Sequence, residues 1–189
     1  MKTRIGLVLG MILILSTAVS AQQNLTLSVY AGYSMSAFQD QGSAAGAIPL
    51  GISLGVKAAS EFEVGGEFFY PLGGYKFEST QYDVKVTSTF NQMMVGAYGK
   101  YFLGSGNTKP FLKGGIGYYM GDVKVEAAGF PTETSKIKAG VGFNIGGGIQ
   151  MESGISLGFT YNIVKRELTS GEKMGLNTWA VLVGYPLIK

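Results

Sequence analysis

The chain has 189 residues and a formal charge of +3, with no Cys and no His. The length suits one domain. The missing Cys excludes disulfides, thiolate metal sites and a lipid-modified N-terminal cysteine, and the missing His excludes Ser-His-Asp and Cys-His nucleophilic machinery and the usual His-based metal centres.

The first residues form a segment of their own. Lys2 and Arg4 make a positive start, residues 7–15 are apolar apart from Gly10, and small residues follow to Val19-Ser20-Ala21. This is the charged start, apolar core and small-residue cleavage site of a secretory signal peptide. Cleavage is expected after Ala21, leaving residues 22–189 as one domain. An uncleaved anchor is the alternative, but the apolar run falls short of the about 20 residues a spanning helix needs. Losing Lys2 and Arg4 lowers the formal charge from +3 to +1, so the nominal basicity implies no nucleic-acid partner.

No later segment reaches about 18 consecutive apolar residues, so no transmembrane helix is expected. The composition is also unlike a soluble domain. Charged residues are 14% against about 25% in typical globular proteins, and Gly, at 30 residues, has about twice its usual share.

Instead the chain alternates with period two, the signature of half-buried β-strands. Over residues 25–36 the odd positions are Leu25, Leu27, Val29, Ala31, Tyr33 and Met35, and the even ones are mostly Ser, Thr and Gly. A second strand, 48–58, sets Ile48, Leu50, Ile52, Leu54 and Val56 against Gly51, Ser53, Gly55 and Lys57. The third, 62–71, sets Phe62, Val64, Phe68 and Tyr70 against Glu63, Gly65 and Glu67. The fourth, 86–102, sets Met93, Val95, Ala97 and Tyr101 against Gln92, Gly96, Tyr98 and Lys100. The fifth, 110–121, sets Leu112, Ile116 and Tyr118 against Lys113, Gly115 and Gly117. The sixth, 136–151, sets Ile137, Ala139, Val141, Phe143, Ile145 and Ile149 against Lys138, Gly140, Gly142, Asn144, Gly146 and Gln150. The seventh, 155–164, sets Leu157, Phe159, Tyr161 and Ile163 against Ser156, Gly158, Thr160 and Asn162. The eighth, 176–187, sets Trp179, Val181, Val183, Tyr185 and Leu187 against Thr178, Ala180 and Gly184.

The connections alternate in length. Residues 37–47, 72–85, 122–135 and 165–175 read as long loops, and 59–61, 103–109 and 152–154 as short turns. Short periplasmic turns and longer extracellular loops are the pattern of bacterial outer-membrane barrels.

Eight alternating strands fit either a soluble lipocalin-like barrel with its oily face inward or a membrane barrel with its oily face in lipid. Three features favour lipid. Gly, Ser, Thr and Asn on the polar face suit the narrow interior of an eight-stranded barrel. Aromatics on the oily face gather near strand ends: Tyr33, Tyr70, Tyr118, Tyr161 and Trp179 toward the outside, Phe62, Tyr101 and Tyr185 toward the periplasm. Such girdles mark the two membrane interfaces. Hydrocarbon also offers the backbone no hydrogen-bond partner, so a strand protein crosses it only as a closed barrel.

The run Pro110-Phe111-Leu112-Lys113-Gly114-Gly115-Ile116-Gly117-Tyr118-Tyr119 and the stretch Gly158-Phe159-Thr160-Tyr161 resemble the small outer-membrane barrels of the OmpA/OmpX type and the wider porin-like outer-membrane β-barrel group. The resemblance implies an all-β fold, an eight-stranded antiparallel up-and-down transmembrane barrel in the outer membrane of a Gram-negative bacterium. It implies outer-membrane lipid, lipopolysaccharide and the barrel-insertion machinery as partners of a monomer. Such barrels usually finish on an aromatic residue; this chain reads Tyr185-Pro186-Leu187-Ile188-Lys189, with Tyr185 as its last aromatic.

The resemblance leaves activity open. Outer-membrane lipid A deacylases, palmitoyl transferases and omptin-type proteases use His, so a barrel without enzymatic activity, cofactor or metal is expected. Glu63 and Glu67 both face inward but lie about 13 Å apart along one strand, too far for the glycosidase carboxylate pair. The inward charges Glu63, Glu67, Lys100, Lys113 and Lys138, with Lys57, read better as a polar lumen network, since a buried charge without a partner is costly. Within it, Glu67 is expected to meet Lys100 and Lys113. The glycines around Gly146 lack the Lys-Ser/Thr ending of a phosphate loop. The leading expectation is a structural or interaction barrel presenting four extracellular loops. A narrow porin-like channel or an OmpW-like conduit for small solutes is the alternative, and a soluble ligand carrier a third reading.

Overall fold

In the computed structural model, the described residues are 24–38, 44–81, 84–167 and 173–188. The expected signal peptide and the tips of three outer connections lie outside them. Nine strands form: β1 (Leu25–Phe38), β2 (Ala44–Ala59), β3 (Phe62–Leu72), β4 (Tyr75–Gln81), β5 (Val84–Phe102), β6 (Thr108–Ala127), β7 (Glu133–Met151), β8 (Ser156–Glu167) and β9 (Lys173–Ile188). Consecutive strands pair antiparallel except β3 and β4, which both pair with β5, and β9 returns to β1. The ring is therefore closed by eight staves, with the third stave made of two strands, β3 and β4.

Proline and glycine explain that split. Pro49 and Pro71 oppose one another across the β2–β3 ladder. Neither has an N–H to give. On the far side of Pro49 the β1–β2 ladder skips from Ala31↔Leu50 to Ser34↔Ala47. On the far side of Pro71 the β3–β5 ladder ends at Phe69↔Met94 and resumes as β4–β5 at Tyr75↔Phe90. The chain turns between them, with Gly74 N–H donating to the Pro71 carbonyl at 3.2 Å. Gly73 and Gly74 take φ of 73° and 64°, a left-handed region that costs other residues about 1–2 kcal/mol.

The strands outrun their expected limits. Segments 72–85 and 122–135, read as loops, are largely strand: β4 and the start of β5, then the end of β6 and the start of β7. Their inward residues close the outer end. Ala45, Ala47, Tyr75, Phe77, Phe90, Val123 and Ile137 form one buried apolar cluster. Phe77 and Phe90 meet edge-on with centroids 5.4 Å apart, an arrangement worth about 0.5–1.5 kcal/mol beyond burial.

One bulge reverses part of the sequence reading. Between Tyr119↔Gly140 and Gly121↔Ile137, β7 carries one residue more than β6. An inserted residue flips every side chain beyond it. Ile137, expected outside, is therefore buried inside, and Lys138, expected in the lumen network, is exposed.

The oily face points outward. Leu112, Ile116, Val141, Phe143, Ile145, Phe159, Val181 and Val183 are all exposed, Ile145 at 63%. A soluble barrel would place these residues around a ligand. Here they form a skin with no polar backbone edge in the body of the barrel, which is what hydrocarbon demands.

Candidate functional site

The lumen is the one place where charge is gathered inside the apolar skin. Its periplasmic half is ionic. Lys57, Glu63, Lys100 and Lys113 occupy successive positions of one cross-strand row over β2, β3, β5 and β6. Period-two alternation places each inward, and strand tilt carries the row along the barrel axis.

The pairing differs from the expected one in a specific way. Lys113 Nζ makes an ion pair with Glu67 Oε2, both largely buried. Asn144 Nδ2 donates to Glu67 Oε1 at 3.2 Å. Lys100 turns to Gln150 Oε1 at 2.7 Å rather than to Glu67. Its ammonium also sits 4.3 Å and 4.7 Å from the ring centres of Phe111 and Phe102, close enough for cation–π attraction. Glu63 accepts a 2.7 Å hydrogen bond from the Tyr98 hydroxyl. Lys113 lies 4.8 Å from the Tyr98 ring centre. Tyr98 thus serves an anion with its hydroxyl and a cation with its face.

The sequence places Tyr98, Asn144 and Gln150 on the inward face but does not identify them as partners. Sequence parity gives a side chain's face, and the partner depends on shear between strands distant in sequence. Phe102 and Phe111 share the parity of Lys100 and Lys113, which is the signal that places them inside. Lys138 stands apart, exposed beside the bulge.

Outward of the ionic zone the lumen becomes apolar. Met94, Tyr119 and Val164 are buried together, with Phe69 packed against them. Tyr119 donates to Asn162 at 3.0 Å, which donates to Thr178 at 3.0 Å. The apolar cap around Phe77 lies beyond, tied to β1 by Tyr75 donating to Ser34 at 3.1 Å. Two voids remain beside Lys100, of about 20 and 30 Å³, each room for about a water molecule or two. The first is lined by Thr26, Ser28, Lys57, Glu63, Gln150 and Ser156, among others. Among the described residues, no group of three or more His, Cys, Asp or Glu is placed to hold a metal.

The expected girdle residues all lie on the outward face. Tyr33, Tyr101, Tyr118 and Tyr185 are exposed. Tyr70, Tyr161 and Trp179 are half-buried, with Trp179 stacked on Phe159 at 6.4 Å. Tyr101 opposes Phe62 across β3–β5, and Tyr161 opposes Trp179 across β8–β9.

A closed ring of eight antiparallel staves, apolar outside and charged within, defines an integral membrane β-barrel. The chain matches the family model of the outer membrane protein beta-barrel domain over residues 7–186. It belongs to that family, and its place is the outer membrane. Among solved structures it is similar to Neisserial surface protein A, at 14% identity and TM-score 0.63, over 85% of this chain and 94% of that one. It is also similar to Ail, the attachment invasion locus protein of Yersinia pestis, solved with the heparin analogue sucrose octasulfate. There the identity is 15% and the TM-score 0.56, over 87% of this chain and 99% of that one. At these identities the likeness is one of fold. No curated protein matches the chain.

Proposed function

We propose that the protein is a closed outer-membrane barrel of the structural or interaction type, without enzymatic activity, which works through its outer strands and loops. The observation that supports this is the filled lumen. Above the Glu67–Lys113 pair, the Met94–Tyr119–Val164 layer and then the Phe77–Phe90 cap stand across the axis. A solute would have to displace both apolar layers and separate a buried ion pair, leaving each charge without its partner. Lipid surrounds a monomer whose aromatic girdles sit at headgroup level, and lipopolysaccharide meets the exposed lysines above them.

The test is single-channel conductance of the refolded chain in a planar bilayer. A barrel whose mobility on a gel shows folding, but which passes no steady current, supports the closed reading. Reproducible current abolished by filling the voids would establish the narrow pore instead.

A further inference from the structure

The ionic row of the lumen does not balance. Lys57, Lys100 and Lys113 share it with two carboxylates, Glu63 and Glu67. Lys113 and Glu67 satisfy each other. Glu63 is left with two cations, and among the described residues it makes an ion pair with neither. Its Oε1 takes the Tyr98 hydroxyl instead, at 2.7 Å. Lys100, only 7% exposed, rests on neutral groups: the Gln150 side-chain carbonyl and the faces of Phe102 and Phe111. An ammonium carries three donors and a full charge, and a buried charge without a counter-charge is costly. Glu61, Lys109 and Glu152 stand at the periplasmic rim, the two carboxylates exposed and Lys109 half-buried, where solvent and salt screen them.

The void of about 20 Å³ lies where the balance fails. Lys57, Glu63 and Lys100 line it, together with Thr26, Ser28 and Ser156, each of which carries a hydroxyl able to donate. Gln150 lines it too, and since its Oε1 accepts from Lys100, its Nε2 is left to donate. Gly154 and Pro186 also border it. They belong to the β7–β8 turn and the end of β9, so the void sits just inside the periplasmic mouth. Donors and positive charge outweigh the one carboxylate, and the volume admits about one water-sized body. Phosphate, sulfate or a carboxylated solute is too bulky for it.

We propose that this void binds a single halide ion, chloride or bromide, as the counter-ion of Lys57 and Lys100. The ion would join side chains of β1, β2, β5, β7 and β8 at one level of the barrel. This goes beyond the closed-barrel reading, which makes no claim about a bound ion.

The test uses the full chain refolded in nanodiscs and titrated with sodium chloride, with sodium gluconate holding the ionic strength constant. The linewidth of the chloride NMR signal should show saturable broadening, and bromide should compete it away. Lys57→Met removes a half-buried lysine at the mouth and should weaken binding at least about tenfold. Lys85→Met removes an exposed lysine at the opposite end, paired with Glu78, and should leave binding unchanged. Crystals of the native chain grown in bromide give a second readout that needs no variant: an anomalous peak between the Lys57 and Lys100 ammoniums. Absence of saturable broadening would overturn the proposal in favour of a bound water. Broadening that Lys57→Met leaves intact, or bromide peaks only on the outer surface, would overturn it in favour of loose surface binding. A barrel that is silent in a bilayer yet ignores halide sinks this inference alone, whereas a conducting barrel sinks the closed reading whatever the halide does.

Discussion

Replacing Lys113 by Met removes one ion and keeps the volume. In the native barrel Lys113 pairs with Glu67 where the two side chains are only 14% and 11% exposed. After Lys113→Met, Glu67 keeps the Asn144 hydrogen bond at 3.2 Å and loses its only close cation among the described residues. Removing one partner of a buried pair typically costs about 3–5 kcal/mol, because the other charge is left stranded. That is about two to four powers of ten in the folding equilibrium. Removing both charges, in Glu67→Gln with Lys113→Met, strands nothing and should recover most of the loss. The assay is urea unfolding in lipid vesicles, followed through Trp179, the single tryptophan of the chain. A double variant as damaged as the sum of the two single ones, or a Lys113→Met variant within about 1 kcal/mol of wild type, would refute the buried-pair account.

Further outcomes follow from the packing. Gly65→Ala should block folding, since its Cβ would stand 2.3 Å from the Leu54 carbonyl oxygen, while Gly66→Ala, with nothing nearer than 3.7 Å, should fold normally; gel mobility of the unheated barrels separates them. Gly73→Ala meets no neighbouring atom within 4 Å and should lose only the stability that left-handed backbone costs, about 1–2 kcal/mol. Gly74→Ala would also press on Asn91 Oδ1 at 2.6 Å, so its unfolding midpoint should fall further than that of Gly73→Ala. Ile145→Arg, on the lipid face, should cost about 2–4 kcal/mol in vesicle unfolding.

The barrel was legible because its information is local. Each strand needs only its own alternation, and Leu50-Gly51-Ile52-Ser53-Leu54 states its face without reference to any other residue. The short turns read correctly for the same reason. What was not legible is the height of the strands and the identity of lumen partners. Tyr75 and Phe77 alternate as clearly as any strand but lie past the end of the apolar skin, where the sequence reads as loop; they turn inward and make a core above the membrane. Lys138 was lost to a bulge, which no period-two count detects because parity on either side is locally sound. Lys100 was expected to meet Glu67 and instead reaches Gln150 on β7, two strands along the ring. Barrel shear decides which inward side chains share a level, and shear is a property of the closed ring.

The barrel sets an oily exterior around a filled interior, and the absence of Cys makes site-directed spin labelling direct. Single Cys substitutions along residues 159–164 of β8, labelled in the unfolded chain and then refolded in lipid vesicles, would be probed with oxygen and with a water-soluble nickel complex. Positions 159, 161 and 163 should show high oxygen accessibility, and positions 160, 162 and 164 should be shielded from both reagents. Strong nickel accessibility at 160, 162 and 164 would mean an open, hydrated lumen and contradict the plug, and oxygen accessibility in the opposite phase would contradict the assignment of faces itself.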